Sequence, residues 1–160
     1  MLSFILTIFS IYYVFDIVSI QSFRKLAIST IRNMVIKVES ADIFLFYLCG
    51  RGISKVEIVG IVRSVQTRQK KVVYHIDDGT GSMRCVKFFN TSDATSYSAF
   101  LPGDMVAVKG ILVMSETNEE DYGFCIHLSC MEIVDDPNME TFHWLSCIDL
   151  FQSEYSHGTS

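Results

Sequence analysis

The chain has 160 residues, of which 49% are hydrophobic and 12% aromatic, and it contains only two prolines. This length suits one domain with a full core, and the composition excludes a disordered or linker-rich protein. The five cysteines are odd in number and form no paired framework, which favours reduced thiols in an intracellular protein over a disulfide scaffold.

The formal net charge of −5 is unevenly divided along the chain. Residues 51–90 contain eight Lys or Arg and three acidic residues, whereas residues 91–160 contain one Lys and twelve acidic residues. A charged run is often only a solvated face. A split of this size within one domain also indicates one face for a polyanion and another for a different partner, so both interpretations stay open.

The first 20 residues are apolar apart from a few hydroxyls and Asp16. A run of this length is typical of a transmembrane helix, and Arg24, Lys25 and Arg32 would hold the flank that follows it in the cytoplasm. The run lacks a preceding basic residue and a small-residue cleavage pattern, so it does not resemble a signal peptide. A membrane anchor formed by residues 1–20 is therefore one interpretation.

The favoured interpretation treats residues 1–33 as a hydrophobic N-terminal extension outside the working protein. Met34 begins a stretch that is typical of the start of a domain, and nothing after residue 33 requires a membrane. On this interpretation one domain spans residues 34–160, and Met34 is a candidate start of translation.

Five segments after Met34 alternate with the period of a β-strand. The predicted strands span residues 54–66, 71–76, 82–89, 104–114 and 122–134. Gly60, in the middle of the first strand, indicates a bulge or a barrel bend. Residues 77–81, Asp-Asp-Gly-Thr-Gly, form a compact turn in which the aspartates bond nearby backbone N–H groups. Residues 91–100 form a capped, weakly helical connection.

The C-terminal residues predict a helix after the last strand. Asp136 and Pro137 indicate its start, and we predict it over residues 138–155. Apolar residues recur on it at helical spacing, and others widen the stripe beyond one face: Phe142, Leu145, Ile148, Phe151 and Tyr155, with Trp144, Cys147 and Leu150. One barrel end cannot cover so much apolar surface, so we expect another protein to pack on this helix.

Five strands with a short helix between the third and the fourth follow the order of an OB-fold barrel, and a Gly-rich turn between the second and third strands belongs to the same pattern. The predicted fold class is therefore all-β with flanking helices. Its architecture is a five-stranded OB-fold barrel with a C-terminal helix.

Three segments of the barrel carry a resemblance to a known family. VEIVGIVRSV, YHIDDGTGSMRCVKF and PGDMVAVKGIL resemble the OB domain of the replication protein A middle subunit and of its telomeric relative, the Stn subunit of the telomere-capping CST complex. The C-terminal DPNMETFHWLSCIDLFQSEY (136–155) resembles the Stn family, most closely plant members that consist of the OB-fold alone. The resemblance runs over residues 34–157, and residues 1–33 match nothing in the family. Phe88 stands where many members have Trp.

The resemblance implies a nuclear subunit of the trimeric Ctc–Stn–Ten complex, located on chromosomes at telomeres. Such a subunit binds or scaffolds single-stranded, G-rich telomeric DNA, protects chromosome ends and supports C-strand fill-in by polymerase alpha–primase. The implied partners are this DNA and the Ten and Ctc subunits, with polymerase alpha–primase as a further candidate. No small-molecule substrate is implied.

Single strands are held by aromatic side chains that stack on bases and by Lys or Arg along the backbone. In an OB-fold the second and third strands and their loops carry the usual binding surface. The candidate single-strand-binding residues are Tyr74, Arg84, Phe88, Lys71, Lys87, Lys109 and Tyr122. If Met83 and Cys85 fill the barrel, the alternate residues of that strand, including Phe88, point outward. Core packing is the alternative role for Phe88 and Tyr74.

The resemblance also implies that the last helix packs against a helix of the small Ten subunit. The candidate partner-binding residues are Phe142, Leu145, Ile148 and Phe151, and the alternative is that they only plug the barrel. Because phosphate affinity comes chiefly from Lys and Arg, the acidic second half of the chain predicts weak DNA binding by the chain alone. Tight binding is expected to require the partner subunits.

No constellation of residues indicates catalysis. Residues 77–80 resemble haloacid dehalogenase and aspartic protease loops only superficially, because Ile76 replaces the aspartate of the first and the order Asp-Gly-Thr differs from the second. Cys125, His127 and Cys130 contain no CxxC pair, and on a strand Cys130 faces away from the other two. The sequence therefore predicts a protein that is not an enzyme and holds no metal or cofactor.

Two alternative functions stay open. One is a general single-stranded DNA-binding relative of the replication protein A middle subunit, although the Ser-rich tail expected of such a protein is replaced by an apolar segment. The other is a membrane-tethered OB-fold interaction module without a nucleic-acid role, which only residues 1–20 support.

Overall fold

The computed structural model of the chain describes residues 22–40, 43–68, 70–89, 100–115 and 123–155. In chain order its elements are β1 (Arg24–Lys25), α1 (Ile28–Arg32), β2 (Val35–Ser40), β3 (Ile43–Leu48), β4 (Arg51–Ile53), β5 (Lys55–Arg68), β6 (Lys71–Asp77), β7 (Ser82–Phe88), β8 (Met105–Ser115), β9 (Gly123–Ile133) and α2 (Met139–Leu150). A π-helical turn, Phe151–Tyr155, continues α2. Of the predicted connection over residues 91–100, all but Phe100 lies outside the described residues.

Strands β5 to β9 form the closed barrel that the alternating sequence predicts. Their order is β5–β6–β7–β9–β8, β8 pairs back with β5, and β7 and β9 run parallel. Every predicted strand is present, with ends shifted by one or two residues at most. All five strands contribute fully buried interior side chains: Val56, Ile58, Ile76, Met83, Cys85, Val106, Val108 and Ile126. This is the strand order of an OB-fold, so the predicted fold class is confirmed.

Gly60 is a point of close approach between β5 and β6. A Cβ atom at this position would lie 2.6 Å from the carbonyl oxygen of Asp77, closer than non-bonded atoms allow. The irregularity in the β5–β6 register lies further along, between Val62 and Ser64. Gly60 therefore allows two strands to approach closely, and the predicted bulge is displaced to the residues that follow it.

The turn between β6 and β7 is held by its own aspartates, as predicted. Oδ1 of Asp77 accepts the N–H of Gly79 at 2.7 Å, and Oδ1 of Asp78 accepts the N–H of Thr80 at 2.8 Å. The Thr80 hydroxyl donates to the same Asp78 oxygen at 2.6 Å. Gly79 has a φ of +84°, a conformation that favours glycine, so sequence and backbone agree in this turn.

The other oxygen of Asp78 fastens the N-terminal segment to the barrel. Oδ2 of Asp78 accepts the N–H of Ile28 at 2.8 Å, and the hydroxyl oxygen of Thr80 accepts the N–H of Ser29 at 3.1 Å. These are the first N–H groups of α1, which have no partner within the helix. Thus α1 is docked on the β6–β7 turn through the side chains of that turn.

Residues 24–33 belong to the packed body of the domain. β1 pairs in parallel with β5, and Leu26, Ile28 and Ile31 are almost fully buried in the core of the barrel. The predicted domain boundary at residue 34 is corrected accordingly. A domain that began at Met34 would lose these three buried side chains and leave the core beneath them exposed to water.

A second, three-stranded antiparallel sheet, β2–β3–β4, was not predicted from the sequence. It adds Phe46 and Leu48 to the core. The β3–β4 connection is a two-residue turn in which Cys49 and Gly50 both have positive φ, 48° and 79°. Turns of this hand match the twist of paired strands, but the left-handed conformation costs a cysteine more than it costs Asn or Gly.

The predicted helix over residues 138–155 is present as α2 and its π-helical continuation, and it packs against β1 and β5. Just before it, Oδ1 of Asp136 accepts the N–H of Asn138 at 2.9 Å, in agreement with the predicted start. His143 and Cys147 are buried on the inner side, with Nε2 of the histidine 3.4 Å from Sγ of the cysteine. The inner side of α2 is therefore filled by these two small or polar residues.

Candidate nucleic-acid interface and partner surface

One outer surface of the barrel combines cationic and aromatic side chains. Strand pairing places Lys71 of β6 opposite Phe88 of β7, and Arg84 of β7 opposite Cys125 of β9. Because paired residues on neighbouring strands point to the same side of a sheet, these side chains share one surface. We name this surface the outer face; its residues are Lys71, His75, Arg84, Phe88 and His127, and the buried residues Val73, Val86 and Cys125 lie beneath it.

The orientation of β7 agrees with the prediction from its alternation. Met83 and Cys85 are fully buried inside the barrel. The alternate residues Arg84 and Phe88 therefore point outward. Phe88 is 55% exposed, which excludes the alternative that it is a core residue. Thus β7 presents a cation and an aromatic ring on the same surface.

Tyr74 does not lie on the outer face, which corrects its prediction as a stacking residue. Its side chain is buried in the barrel core and packs edge-on against Phe100, with 5.9 Å between the ring centroids. Burial also raises the pKa of the Tyr74 phenol. Strand β6, which contains Tyr74, carries apolar residues on both of its sides. Its sequence alone therefore does not decide which side faces the interior of the barrel. His75 takes the outward position beside Tyr74.

His127 is a residue of the outer face that the sequence reasoning considered only as a metal ligand. Its ring centroid lies 5.0 Å from that of Phe88, with an interplanar angle of 77°. Burial, and then the positive charges of Arg84 and Lys71, lower the pKa of His127, so its imidazole is neutral at pH 7. The alternation of β9, which puts His127 on the same side as Cys125, is the signal that could have found it.

Lys71 and Arg84 form the positive centre of the outer face. Their charges reach both His127 and the buried thiol of Cys125. Burial raises the pKa of that thiol and the two cations oppose the rise, so the thiol stays protonated at pH 7. Two cations that act on the same side chains form a local positive patch, which is what a phosphate backbone requires.

Lys87 and Lys109 flank this centre. The charges of both reach Cys130 on β9. Lys87 is exposed at the end of β7, whereas Nζ of Lys109 lies 3.8 Å from a carboxylate oxygen of Glu57. An ion pair on a half-exposed lysine leaves less of its charge for a phosphate. Tyr122, the remaining candidate for DNA contact, lies outside the described residues.

The helix α2 and the π-helical turn that continues it leave an apolar stripe uncovered on the side away from the barrel. The members of this outer stripe are between 45% and 59% exposed: Phe142, Leu145, Ile148 and Phe151. Tyr155, which was predicted in the same stripe, is buried instead. Because His143 and Cys147 occupy the inner side, the outer stripe does not plug the barrel, and that alternative is wrong.

The described residues contain no group of three or more His, Cys, Asp or Glu arranged to hold a metal ion. Cys125 is buried and Cys130 is exposed, so the two thiols of β9 do not converge on one site. Within the same described ranges, no helix is long and apolar enough to cross a bilayer, and the apolar residues 1–20 lie outside those ranges. The candidate contacts that the described surface offers to a partner are therefore charged, aromatic and apolar side chains.

Comparison with known sequences identifies relatives of the chain. The family described as telomere regulation protein Stn1 matches residues 5–155. The expectation that residues 1–33 match nothing in that family is therefore wrong from residue 5 onward. The CST complex subunit STN1 of Arabidopsis thaliana is 29% identical over 122 residues, which cover 68% of this chain and 76% of that protein.

Two solved structures share the fold over most of the chain. The S. pombe Stn1–Ten1 complex contains a chain that matches with a TM-score of 0.72 at 20% identity, covering 86% of this chain and 97% of that one. A replication protein A heterotrimer bound to single-stranded DNA matches with a TM-score of 0.69 at 23% identity, covering 82% of this chain and 97% of that one. At these identities the likeness is one of fold.

Proposed function

Because the chain belongs to the Stn1 family of telomere regulation proteins, we propose that it is the OB-fold subunit of a CST complex that binds and scaffolds single-stranded telomeric DNA. At the level of its family it is a telomere-associated OB-fold protein. In the proposed role it protects chromosome ends in the nucleus and supports C-strand fill-in by polymerase alpha–primase. Family membership favours this role over a general replication protein and over a membrane-tethered module.

The outer stripe of α2 is the observation that carries the proposal. Fully burying one large apolar side chain contributes about 1.5–3 kcal/mol, so covering four that are half exposed stabilises an association by several kcal/mol. A continuous apolar stripe on a protein surface indicates a partner. The S. pombe relative with this fold is in a complex with Ten1. We therefore assign the outer stripe to the Ten subunit.

The outer face of the barrel is assigned to the single strand. Phe88 offers an exposed aromatic ring, and stacking contributes about 1–3 kcal/mol per base. Lys71 and Arg84 contact phosphates at the centre, and Lys87 and Lys109 do so at the flank. Two to four cations give a slope of log affinity against log salt of only about −1.4 to −2.8, so the isolated chain binds weakly. A relative of this fold bound to single-stranded DNA supports the assignment.

The remaining partners follow from the family. We assign the Ctc subunit as the third member of the complex and polymerase alpha–primase as the enzyme that the complex brings to the chromosome end. The chain itself is assigned no catalytic step. Its part is to hold the strand and to join the other subunits.

Co-purification with the Ten subunit tests the outer stripe. Changing Leu145 and Ile148 together to Asp should abolish it, because two unpaired carboxylates would be buried in the contact. The matched control changes Val35 and Val38 on β2 to Asp. These valines are 60% and 66% exposed, compared with 57% and 51% for the two residues of the stripe, so the control changes the same chemistry on another element.

Circular dichroism and thermal unfolding first establish that both double variants are folded. Loss of the Ten subunit by the α2 variant, together with its retention by the β2 variant, supports the proposal. Intact co-purification of a folded Leu145→Asp/Ile148→Asp chain contradicts it, and so does an equal loss by both variants.

A further inference from the structure

His127 lies where the aromatic and the cationic parts of the outer face meet. From β7, the Phe88 ring packs against it at a centroid distance of 5.0 Å and an angle of 77°. The charges of Arg84 on β7 and Lys71 on β6 both reach the imidazole. The histidine therefore touches the proposed base-stacking residue and lies within the field of the proposed phosphate contacts.

Among the described residues, the strand-pairing partners of His127 carry no charge at pH 7. Its backbone partner on β8 is the apolar Ile111, and the next outward residue on β9 is Cys125, whose thiol is protonated because burial raises its pKa. Burial and two nearby cations keep the imidazole neutral in the free chain. A phosphate backbone laid over Lys71 and Arg84 offsets their charge, and this favours the protonated imidazole.

We propose that His127 is a proton-linked positioning residue of the single-strand face: its ring fixes Phe88 against β9, and it takes up a proton when a single strand binds. The inference rests on the proposed function, because it needs DNA on the outer face. Edge-to-face packing of the two rings restricts the orientations of Phe88 before a base arrives. The protonated ring then adds a third cation near the phosphates and a cation–π contact with Phe88.

Proton uptake on binding fixes the direction of the pH dependence. Because the pKa of His127 is lower in the free chain than in the complex with DNA, the affinity is constant at alkaline pH. It rises as the pH falls through the pKa of the bound state and levels off below the pKa of the free state. A difference of about half to two-thirds of a pKa unit corresponds to an affinity gain of about three- to fivefold.

Fluorescence anisotropy of the full chain with a labelled oligothymidine of about 12 nucleotides tests the inference at low salt between pH 8 and pH 5.5. We expect the Kd of the unaltered chain to fall about three- to fivefold over this range. His127→Phe keeps a ring against Phe88 and should lose the pH response. His127→Ala should lose the pH response and also raise the alkaline Kd about two- to tenfold, a loss that His127→Phe largely rescues.

His143→Gln is the control, because His143 is buried on the inner side of α2 and is not a residue of the outer face. This variant should keep the pH response. In nuclear magnetic resonance, the imidazole signals of His127 should titrate at a higher pH with oligothymidine than without it.

Three results would overturn the inference: a pH response that persists in His127→Phe, a response that is lost in a folded His143→Gln chain, and a His127 titration that DNA leaves unshifted. If neither the chain nor its complex with the Ten subunit binds oligothymidine at any pH, the proposed function is wrong and the inference fails with it. Binding that is unaffected by His127 leaves the proposed function standing and rejects the inference alone.

Discussion

Replacing Asp78 by Ala tests whether the N-terminal segment is part of the domain. The buried carboxylate accepts the N–H groups of Ile28 and Thr80, each at 2.8 Å, and the Thr80 hydroxyl at 2.6 Å. A hydrogen bond to a charged group contributes about 1.5–3 kcal/mol, and a buried N–H without a partner costs about 1–3 kcal/mol. In Asp78→Ala, water replaces part of the hydrogen bonds that the exposed Thr80 loses, whereas the Ile28 N–H stays buried without a partner. We therefore expect the substitution to lower the free energy of unfolding by about 3–5 kcal/mol.

Urea denaturation followed by circular dichroism measures this loss, with Asp77→Ala as the matched control. Asp77 accepts the Gly79 N–H at 2.7 Å and the Arg63 Nε–H at 3.1 Å on the more exposed side of the same turn, so Asp77→Ala should lower the free energy of unfolding much less than Asp78→Ala. Hydrogen exchange at the Ile28 amide should accelerate only in Asp78→Ala. A loss below about 1 kcal/mol in that variant, or equal losses in both, refutes the docking of α1 by Asp78.

Three further predictions concern a turn, the outer face and pH. Cys49→Asn creates an Asn-Gly pair in the left-handed turn and should raise the free energy of unfolding in urea by about 1 kcal/mol; unchanged or lower stability contradicts this. Phe88→Ala should weaken binding of a single strand about 5- to 150-fold, whereas Tyr74→Phe inside the barrel should leave the Kd unchanged; equal effects contradict the assigned orientations. Burial is the first cause of the lowered pKa values of His127 and His143. Below about pH 6.5 the unfolded chain therefore binds more protons than the folded chain, and the urea midpoint should fall between pH 7 and pH 5.5; a constant or rising midpoint contradicts this.

The barrel strands could be predicted because a half-buried strand alternates apolar and polar residues. In β7 the rule works, since Met83 and Cys85 on one side are buried and Phe88 on the other is exposed. In β6 the same rule is ambiguous, because Val73 and Tyr74 are neighbours and both apolar enough to be buried. The two residues are in fact buried in different clusters, Val73 beneath the outer face and Tyr74 inside the barrel.

The N-terminal elements could not be predicted, because they are too short to show a period. β1 has two residues and α1 has five, and they follow a long apolar run that hides their pattern. The N–H of Ile28 is satisfied by Asp78, a residue 50 positions away. The contact between Phe88 and His127 likewise depends on the parallel pairing of β7 with β9, which no local pattern contains.

The central claim is that the chain acts at single-stranded telomeric DNA together with its partner. The most direct measurement is fluorescence anisotropy with a labelled G-rich telomeric strand at physiological salt. It compares the isolated chain, its complex with the Ten subunit, and the Leu145→Asp/Ile148→Asp chain mixed with the Ten subunit. We predict weak binding, with a Kd above about 1 μM, for the isolated chain and the α2 variant, and submicromolar binding for the complex. Submicromolar binding by the isolated chain, or no binding by a stable complex with the Ten subunit, would contradict the claim.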